Sequence, residues 1–463
     1  MYRAKYLKFH FAAPALLVWL LFAACRDEDP PHLPVGPPVP EVTGYGTPFE
    51  DMPAIADMLL YEVNPRVFSP TKNLAGITAR LDSLAALGIN VVWLMPIHPT
   101  GSVRSVGSPY AVRDHHGIHP DYGSLSDLRA LVDKAHACGM AVILDWVANH
   151  TAWDHAWMAE PDWYVRDAAG NVIHPPGTNW QDVAELNYDN SAMRQAMIQA
   201  MQYWVVEANV DGFRCDYAAG VPADFWRSAI DSLRSLPGRD LLLFAEAEDK
   251  ALLDAGFDLL FGWPFYGRLK SVFQGQSAQQ LHAVHLSEYS GLAADEHILR
   301  WITNHDQHAW EATPATIFGG RDAALAAFVL ASHMGGVPLI YNGQEVDAPT
   351  QLPFFEGQQA GINWNLYPET KERYRKMLRF RQDSPALRRG ILTDRSSADV
   401  VSFTRTAAGE EVLVLVNVRP ASKTYTLPAF LKNTDWTDAY DGSVVSLGNT
   451  LSLDAFAYRV LRR

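Results

Sequence analysis

From about residue 55 the chain alternates short apolar runs with helix-length amphipathic segments, the pattern of repeated βα units. The runs predict strands at Leu59–Val63, Val91–Leu94, Ala141–Leu144, Val210–Arg214, Leu241–Ala245, Phe257–Leu260, Arg300–Thr303 and Pro338–Tyr341. Helices are expected between several of them, at Ile77–Leu87, Leu125–Ala137, Ala192–Ala208, Pro222–Leu236 and Ala323–His333. In the first of these helices Ile77, Leu81, Leu84 and Leu87 recur at helical spacing. Two stretches break the alternation. Residues 150–190 are rich in Trp, Pro, Asn and Asp and read as an inserted loop domain. From about Ile391 only alternating strands remain, as in Val412–Val416.

Eight strands with intervening helices predict an α/β fold, a (β/α)8 TIM barrel. It carries a short inserted loop domain after its third strand and a C-terminal antiparallel β-domain. The expected boundaries are a barrel over residues 55–387, including the loop domain at 150–190, and a β-sandwich over 388–463. A length of 463 residues suits one large barrel plus a small accessory domain. The net charge of −14 argues against nucleic acid as a partner. Three cysteines without C-x-x-C spacing imply neither a disulfide framework nor a cysteine zinc site.

The first thirty residues read as an address. Arg3, Lys5 and Lys8 precede an apolar run from Phe11 to Ala24, the layout of a signal peptide. Its end, Leu21-Phe22-Ala23-Ala24-Cys25, resembles a bacterial lipobox, which makes Cys25 the expected lipid attachment site and residues 1–25 a lipoprotein-type signal peptide. Residues 26–54 are an acidic and Pro-rich linker, whose prolines disfavour regular structure. The acidic residues beside Cys25 resemble a surface-export signal; a merely solvated linker has the same composition. The expectation is an exported protein, an outer-membrane or cell-surface lipoprotein, otherwise periplasmic, held at a membrane through Cys25.

In a (β/α)8 barrel, chemistry sits at the C-terminal ends of the strands. Asp145 and Asn149-His150 follow the third apolar run. The fourth contains Gly212-Phe213-Arg214-Cys215-Asp216, the fifth ends at Glu246, and the seventh ends Thr303-Asn304-His305-Asp306. A strand-end Asp or Asn alone often just caps a turn. Four such ends on one edge point to a site.

These residues resemble the α-amylase family of glycoside hydrolases. DWVANH, GFRCD, the Glu of FAEAED and ITNHD match four conserved regions in order, and DVAELN at 182–187 resembles a fifth. The resemblance implies Asp216 as nucleophile, Glu246 as general acid/base and Asp306 as the residue that holds and distorts the sugar. It places Tyr110, His150, Arg214 and His305 in substrate binding, with Asp145 orienting Arg214. A carboxyl pair about 5–5.5 Å apart leaves no room for water between its members and retains the anomeric configuration. Arg214 and Asp216 are two apart on a strand, so their side chains face the same way, and the guanidinium favours the ionised nucleophile.

The family also implies one structural calcium ion, with Asn149 and Glu185 among its ligands, and no organic cofactor. Glu185 stands where the family commonly has Asp. Where classical endo-acting members carry a Lys-His pair, this chain has Ala219 and Gly220, so the acceptor side differs. The function implied is hydrolysis of α-1,4-glucosidic bonds in an α-glucan or maltooligosaccharide. An α-glucanotransferase or isomerase with the same triad is the alternative, and a non-catalytic glycan-binding barrel is disfavoured because all three carboxylates are present.

Overall fold

The computed structural model describes residues 44–294, 296–357 and 361–463. The signal peptide and Cys25 lie outside them. Eight parallel strands form the centre: β1 (Leu60–Val63), β2 (Val91–Leu94), β3 (Ala141–Val147), β4 (Gly212–Asp216), β5 (Leu242–Ala245), β6 (Leu259–Leu260), β7 (His297–Arg300) and β8 (Val337–Tyr341). Each pairs with its neighbours in chain order and β8 returns to β1, closing the TIM barrel. Helices on the outside and packed residues inside bury almost every strand position, so the strands read as continuous apolar runs instead of alternating ones.

The outer helices form where amphipathic spacing and caps coincide. Leu125–Ala137 buries Leu128, Leu131, Val132 and Ala135. It starts with a capping box in which Ser124 Oγ accepts from the Asp127 N–H and the Asp127 carboxylate accepts from the Ser124 N–H, a device worth about 1 kcal/mol. Ser191–Ala208 ends at Asn209, whose left-handed backbone stops the helix. At the start of β4, Gly212 has φ 144°, and a Cβ there would lie 2.0 Å from the Leu242 carbonyl oxygen. Only glycine lets β4 approach β5 this closely, and that approach sets the depth of Arg214 two residues on.

The insertion after β3 opens with an antiparallel ribbon of His150–Ala152 against Val183–Glu185. At the C-terminus a six-stranded antiparallel sheet and a two-stranded one enclose a second core of Leu413, Leu415, Tyr425, Trp436 and Leu461. Val412, Val414 and Val416, alternating with those leucines, point the other way and join the barrel's own core.

Three expectations shift. The helix foreseen over 77–87 is two, Leu74–Thr78 and Leu81–Leu87. The seventh strand, expected at Arg300–Thr303, pairs earlier, at His297–Arg300, and His305 and Asp306 open a short helix, His305–Trp310, capped by Asn304. Residues 44–54, expected as the end of the linker, lie against the barrel. Phe49 is buried and stacks on His136, and the Tyr45 N–H donates to the Val206 carbonyl. Among the described residues no helix is long and apolar enough to cross a membrane.

Candidate functional site

Arg214 organises the rim. Asp145 on β3 and Arg214 on β4 are partners in the strand register, and Val147 pairs with Asp216 one pleat further along. The period of two therefore turns Asp145, Arg214 and Asp216 to one side, inside the barrel mouth. Arg214 is fully buried, and its Nη1 donates to Asp145 Oδ1 at 2.8 Å and to Asp216 Oδ1 at 3.0 Å. Its Nη2 lies 2.7 Å from Glu246 Oε1, a coulombic contact that lacks hydrogen-bond alignment. Trp93, Tyr110 and Phe261 surround the guanidinium with their ring faces, at 5.1, 5.7 and 5.6 Å.

One guanidinium thus serves three carboxyl groups, and Asp306 places a fourth nearby. Exposure rises outward: the Asp145 side chain is 0% accessible, those of Asp216 and Glu246 13%, and that of Asp306 36%. The last three open toward solvent while Asp145 does not, which suits Asp145 to orienting Arg214. Burial raises the Asp216 carboxyl to about 6 against the pull of Arg214. Burial, with Asp216 and Asp306 close by, raises Glu246 further, to about 7. The order, Glu246 above Asp216, is the one that a general acid beside a nucleophile requires.

A second chain of contacts crosses the mouth. Glu62 on β1 is fully buried and pairs with His305 Nδ1. His305 Nε2 lies 2.9 Å from the Tyr110 hydroxyl, which donates to Asp145 Oδ2 at 3.0 Å. Burial opposes charge on His305, but Asp306 and Glu62 outweigh it and lift the imidazole to about 9. The ring is then an imidazolium, donating from both nitrogens, so Tyr110 accepts from it and donates onward. Tyr110 stacks between His305 and Phe354.

His150 sits beside this network and makes a different set of bonds. Burial lowers it to about 4, so it is neutral, and its ring donates to the Tyr110 carbonyl. Its Nδ1 faces the Asn149 amide at 3.3 Å. Both ring nitrogens are engaged within the protein, so donation to a sugar hydroxyl requires sharing one of these bonds. Glu185 is the register partner of His150 across the ribbon, and its buried Oε2 has no hydrogen-bond partner. Asn149 and Glu185 supply two oxygen donors, and among the described residues no group of three or more His, Cys, Asp or Glu could hold a metal. Calcium takes six to eight oxygens. Backbone carbonyls or water would have to supply the rest of any shell.

Sequence reasoning named Asp216, Glu246, Asp306, Arg214, Tyr110 and His305, and the fold brings all six together. Glu62 was missed, although a lone carboxylate in the apolar strand Leu60-Tyr61-Glu62-Val63 is costly without a partner and so was a signal. Trp180 and Tyr217, at the edge of the site, carried no such mark.

Acidic pairs at the C-terminal rim of a parallel barrel are an arrangement that suits glycoside hydrolysis. Comparison with known proteins agrees: the catalytic-domain model of α-amylase matches residues 63–237. The chain is 29% identical to the α-amylase MalA of Haloarcula japonica over 418 residues, 85% of this chain and 59% of that protein. It is 27% identical over 430 residues to an α-1,4-glucan:maltose-1-phosphate maltosyltransferase of Rhodospirillum rubrum, covering 83% of this chain and 59% of that one. The chain thus spans about three fifths of the length of these two relatives. Among solved structures, a maltogenic α-amylase from Thermotoga neapolitana superposes with a TM-score of 0.79 at 27% identity, covering 89% of this chain and 99% of the other. The chain is thus similar to the α-amylase family, most clearly over residues 63–237.

Proposed function

We propose that this enzyme hydrolyses α-1,4-glucosidic bonds in starch-derived glucans or maltooligosaccharides with retention of configuration. Glu246 protonates the glycosidic oxygen while the Asp216 carboxylate attacks the anomeric carbon, and the leaving sugar departs with the proton. Glu246, now ionised, takes a proton from water, whose oxygen attacks the same carbon and releases Asp216. Asp306 and His305 hold hydroxyls of the sugar in the mouth, and the Tyr110 ring gives its apolar face a surface.

The observation that carries this reading is the sharing of Arg214 by Asp216 and Glu246. Two carboxyls on one guanidinium are close neighbours, which suits the short spacing of a retaining pair over the wider gap that admits water. Incubation with maltoheptaose, with products followed by NMR, tests it. Retention releases the α-anomer first; initial β-anomer overturns the mechanism.

Transfer to a sugar hydroxyl in place of water is the second reading, favoured by the maltosyltransferase relative. Longer oligosaccharides accumulating at high maltoheptaose concentration would establish it. We further propose export as a lipoprotein anchored on Cys25, for which Cys25→Ala should release the enzyme from membranes.

A further inference from the structure

Glu62 lies deep in β1, 0% exposed, and faces Trp93 on β2 and Tyr341 on β8 in the strand register. Its Oε1 pairs with His305 Nδ1, while its buried Oε2 has no hydrogen-bond partner among the described residues. A buried carboxylate satisfied at one oxygen only costs stability. Glu62 is therefore explained by what it does to His305, not by what it adds to the core. Packing confines the His305 ring without choosing its orientation. Tyr110 and Phe354 stack on it at 5.5 and 6.0 Å between centroids, and Trp93 meets it edge on at 5.8 Å. Such contacts tolerate a ring turned half over; a carboxylate on Nδ1 does not. With Nδ1 held, Nε2 lies between the Tyr110 hydroxyl at 2.9 Å and Asp306 Oδ1 at 3.6 Å, on the side where Asp306 opens to solvent.

The hydrogens on this ring set the direction of a longer chain of bonds. A doubly protonated ring donates from both nitrogens, so Tyr110 accepts from Nε2 and gives its own hydrogen to Asp145 Oδ2 at 3.0 Å. Trp93 Nε1 donates to the same oxygen at 3.1 Å. A neutral ring whose single hydrogen is spent on Glu62 reverses the order. Nε2 then accepts from Tyr110, Asp145 loses a donor, and Nε2 has nothing to offer a sugar hydroxyl. The groups that face the ring are Glu62 on β1, Asp145 on β3, Arg214 on β4, Tyr110, and Asp306 beside it. Burial lowers His305, but Asp306 and Glu62 together raise it to about 9, with Arg214 opposing them.

We propose that Glu62, sealed from the substrate, is a positioning residue: from Nδ1 it turns His305 Nε2 into the barrel mouth as a donor and, through the Tyr110 hydroxyl, sets the direction of the hydrogen bonds that end on Asp145. The inference rests on the proposed glucan-cleaving function and assigns to that site a residue that never touches the sugar.

The test uses α-maltosyl fluoride, because fluoride leaves without a proton from Glu246. Its kcat/KM then needs Asp216 ionised and His305 as a donor, and Glu246 no longer sets the alkaline limb. In the wild type that limb should coincide with the His305 titration followed by NMR, near pH 9. Glu62→Gln keeps the shape and removes the charge. It should move limb and titration together toward neutrality by about one pH unit or more, which at pH 9 lowers kcat/KM by about fivefold or more. Glu62→Asp keeps the charge and should recover most of the shift. A wild-type limb that does not follow the His305 titration overturns the inference, and that measurement needs no variant to fold. So does a Glu62→Gln enzyme, shown folded by its melting curve, in which titration or limb stays in place. A wild type that turns over neither maltoheptaose nor α-maltosyl fluoride overturns the glucan-cleaving reading instead, and the titration alone then judges the hold of Glu62 on His305.

Discussion

Replacing Glu246 by Gln should make the protein more stable at pH 8 while abolishing its acid/base chemistry. Glutamine is close in shape to the protonated acid and never ionises. The Glu246 carboxyl has an ordinary value of 4.5 and is raised to about 7, chiefly by burial. Between those values the unfolded chain has lost the proton and the folded chain keeps it, so the native state weakens as pH rises. Below 4.5 both states are protonated and the effect vanishes; above 7 it is complete. Relative to an unshifted carboxyl, the native state is thus destabilised by about 3 kcal/mol at pH 8, where Glu246 is ionised, and by about 1 kcal/mol at pH 5, where it keeps a proton that the unfolded chain has mostly lost. Removing one partner of a buried ion pair normally destabilises by about 3–5 kcal/mol because the other charge is stranded. That does not apply here, since Arg214 keeps Asp145 at 2.8 Å and Asp216 at 3.0 Å. The assay is the melting temperature of wild type and Glu246→Gln at pH 5 and pH 8, at one fixed scan rate. A gain of a few degrees is expected at pH 8 and much less at pH 5, since the shift per kcal/mol shrinks with length from about 2–4 °C at 150–250 residues. A variant less stable than wild type at pH 8 would refute the reasoning: it would mean that the pull of Arg214 on Glu246 exceeds the penalty of burial.

Asp216→Asn should reduce kcat on maltoheptaose by about 10⁴-fold or more, because no covalent intermediate can form; undiminished turnover would displace Asp216 as nucleophile. The pH profile of kcat/KM should be a narrow bell, falling below about 6 as Asp216 gains a proton and above about 7 as Glu246 loses one, with both limbs belonging to the coupled pair. A plateau extending to pH 9 would contradict it. Glu62→Gln removes one of the two carboxylates that lift His305 to about 9, so the imidazole titration, followed by NMR, should move toward neutrality. An unmoved titration would assign the lift to Asp306 alone. Dialysis against EDTA followed by melting tests the calcium site that Asn149 and Glu185 would share: a drop in melting temperature reversed by calcium supports it, and an unchanged one refutes it.

What could be read in the chain divides along a physical line. Apolar runs flanked by turn residues located the barrel strands to within a few residues, because burial on both faces leaves a contiguous mark. The seventh strand slipped by three positions since Ile298 to Ile302 is almost continuously apolar, and only pairing with Leu259 and Leu260 decides which part joins the ladder. The helices Trp263–Phe273 and Gln280–Tyr289 escaped notice. The first holds Pro264, Gly267 and several aromatics, all poor helix formers, and tertiary burial of Phe265, Leu269 and Val272 overrides that preference. Among site residues, those in ordered motifs were legible. Tyr217 and Trp180 were not, because their edge-to-face contact joins positions 37 apart in the chain.

The valine face of the C-terminal sheet bears on how the molecule could be cut. Val412, Val414 and Val416 belong to the same packed interior as the barrel helices, while Leu413 and Leu415 belong to the sandwich. A clone stopped at residue 387 would leave greasy surface on the barrel uncovered, and the tail expressed alone would display its matching half. The two parts share one packed interior, so a graft of the barrel onto another scaffold is expected to need the C-terminal sheet with it.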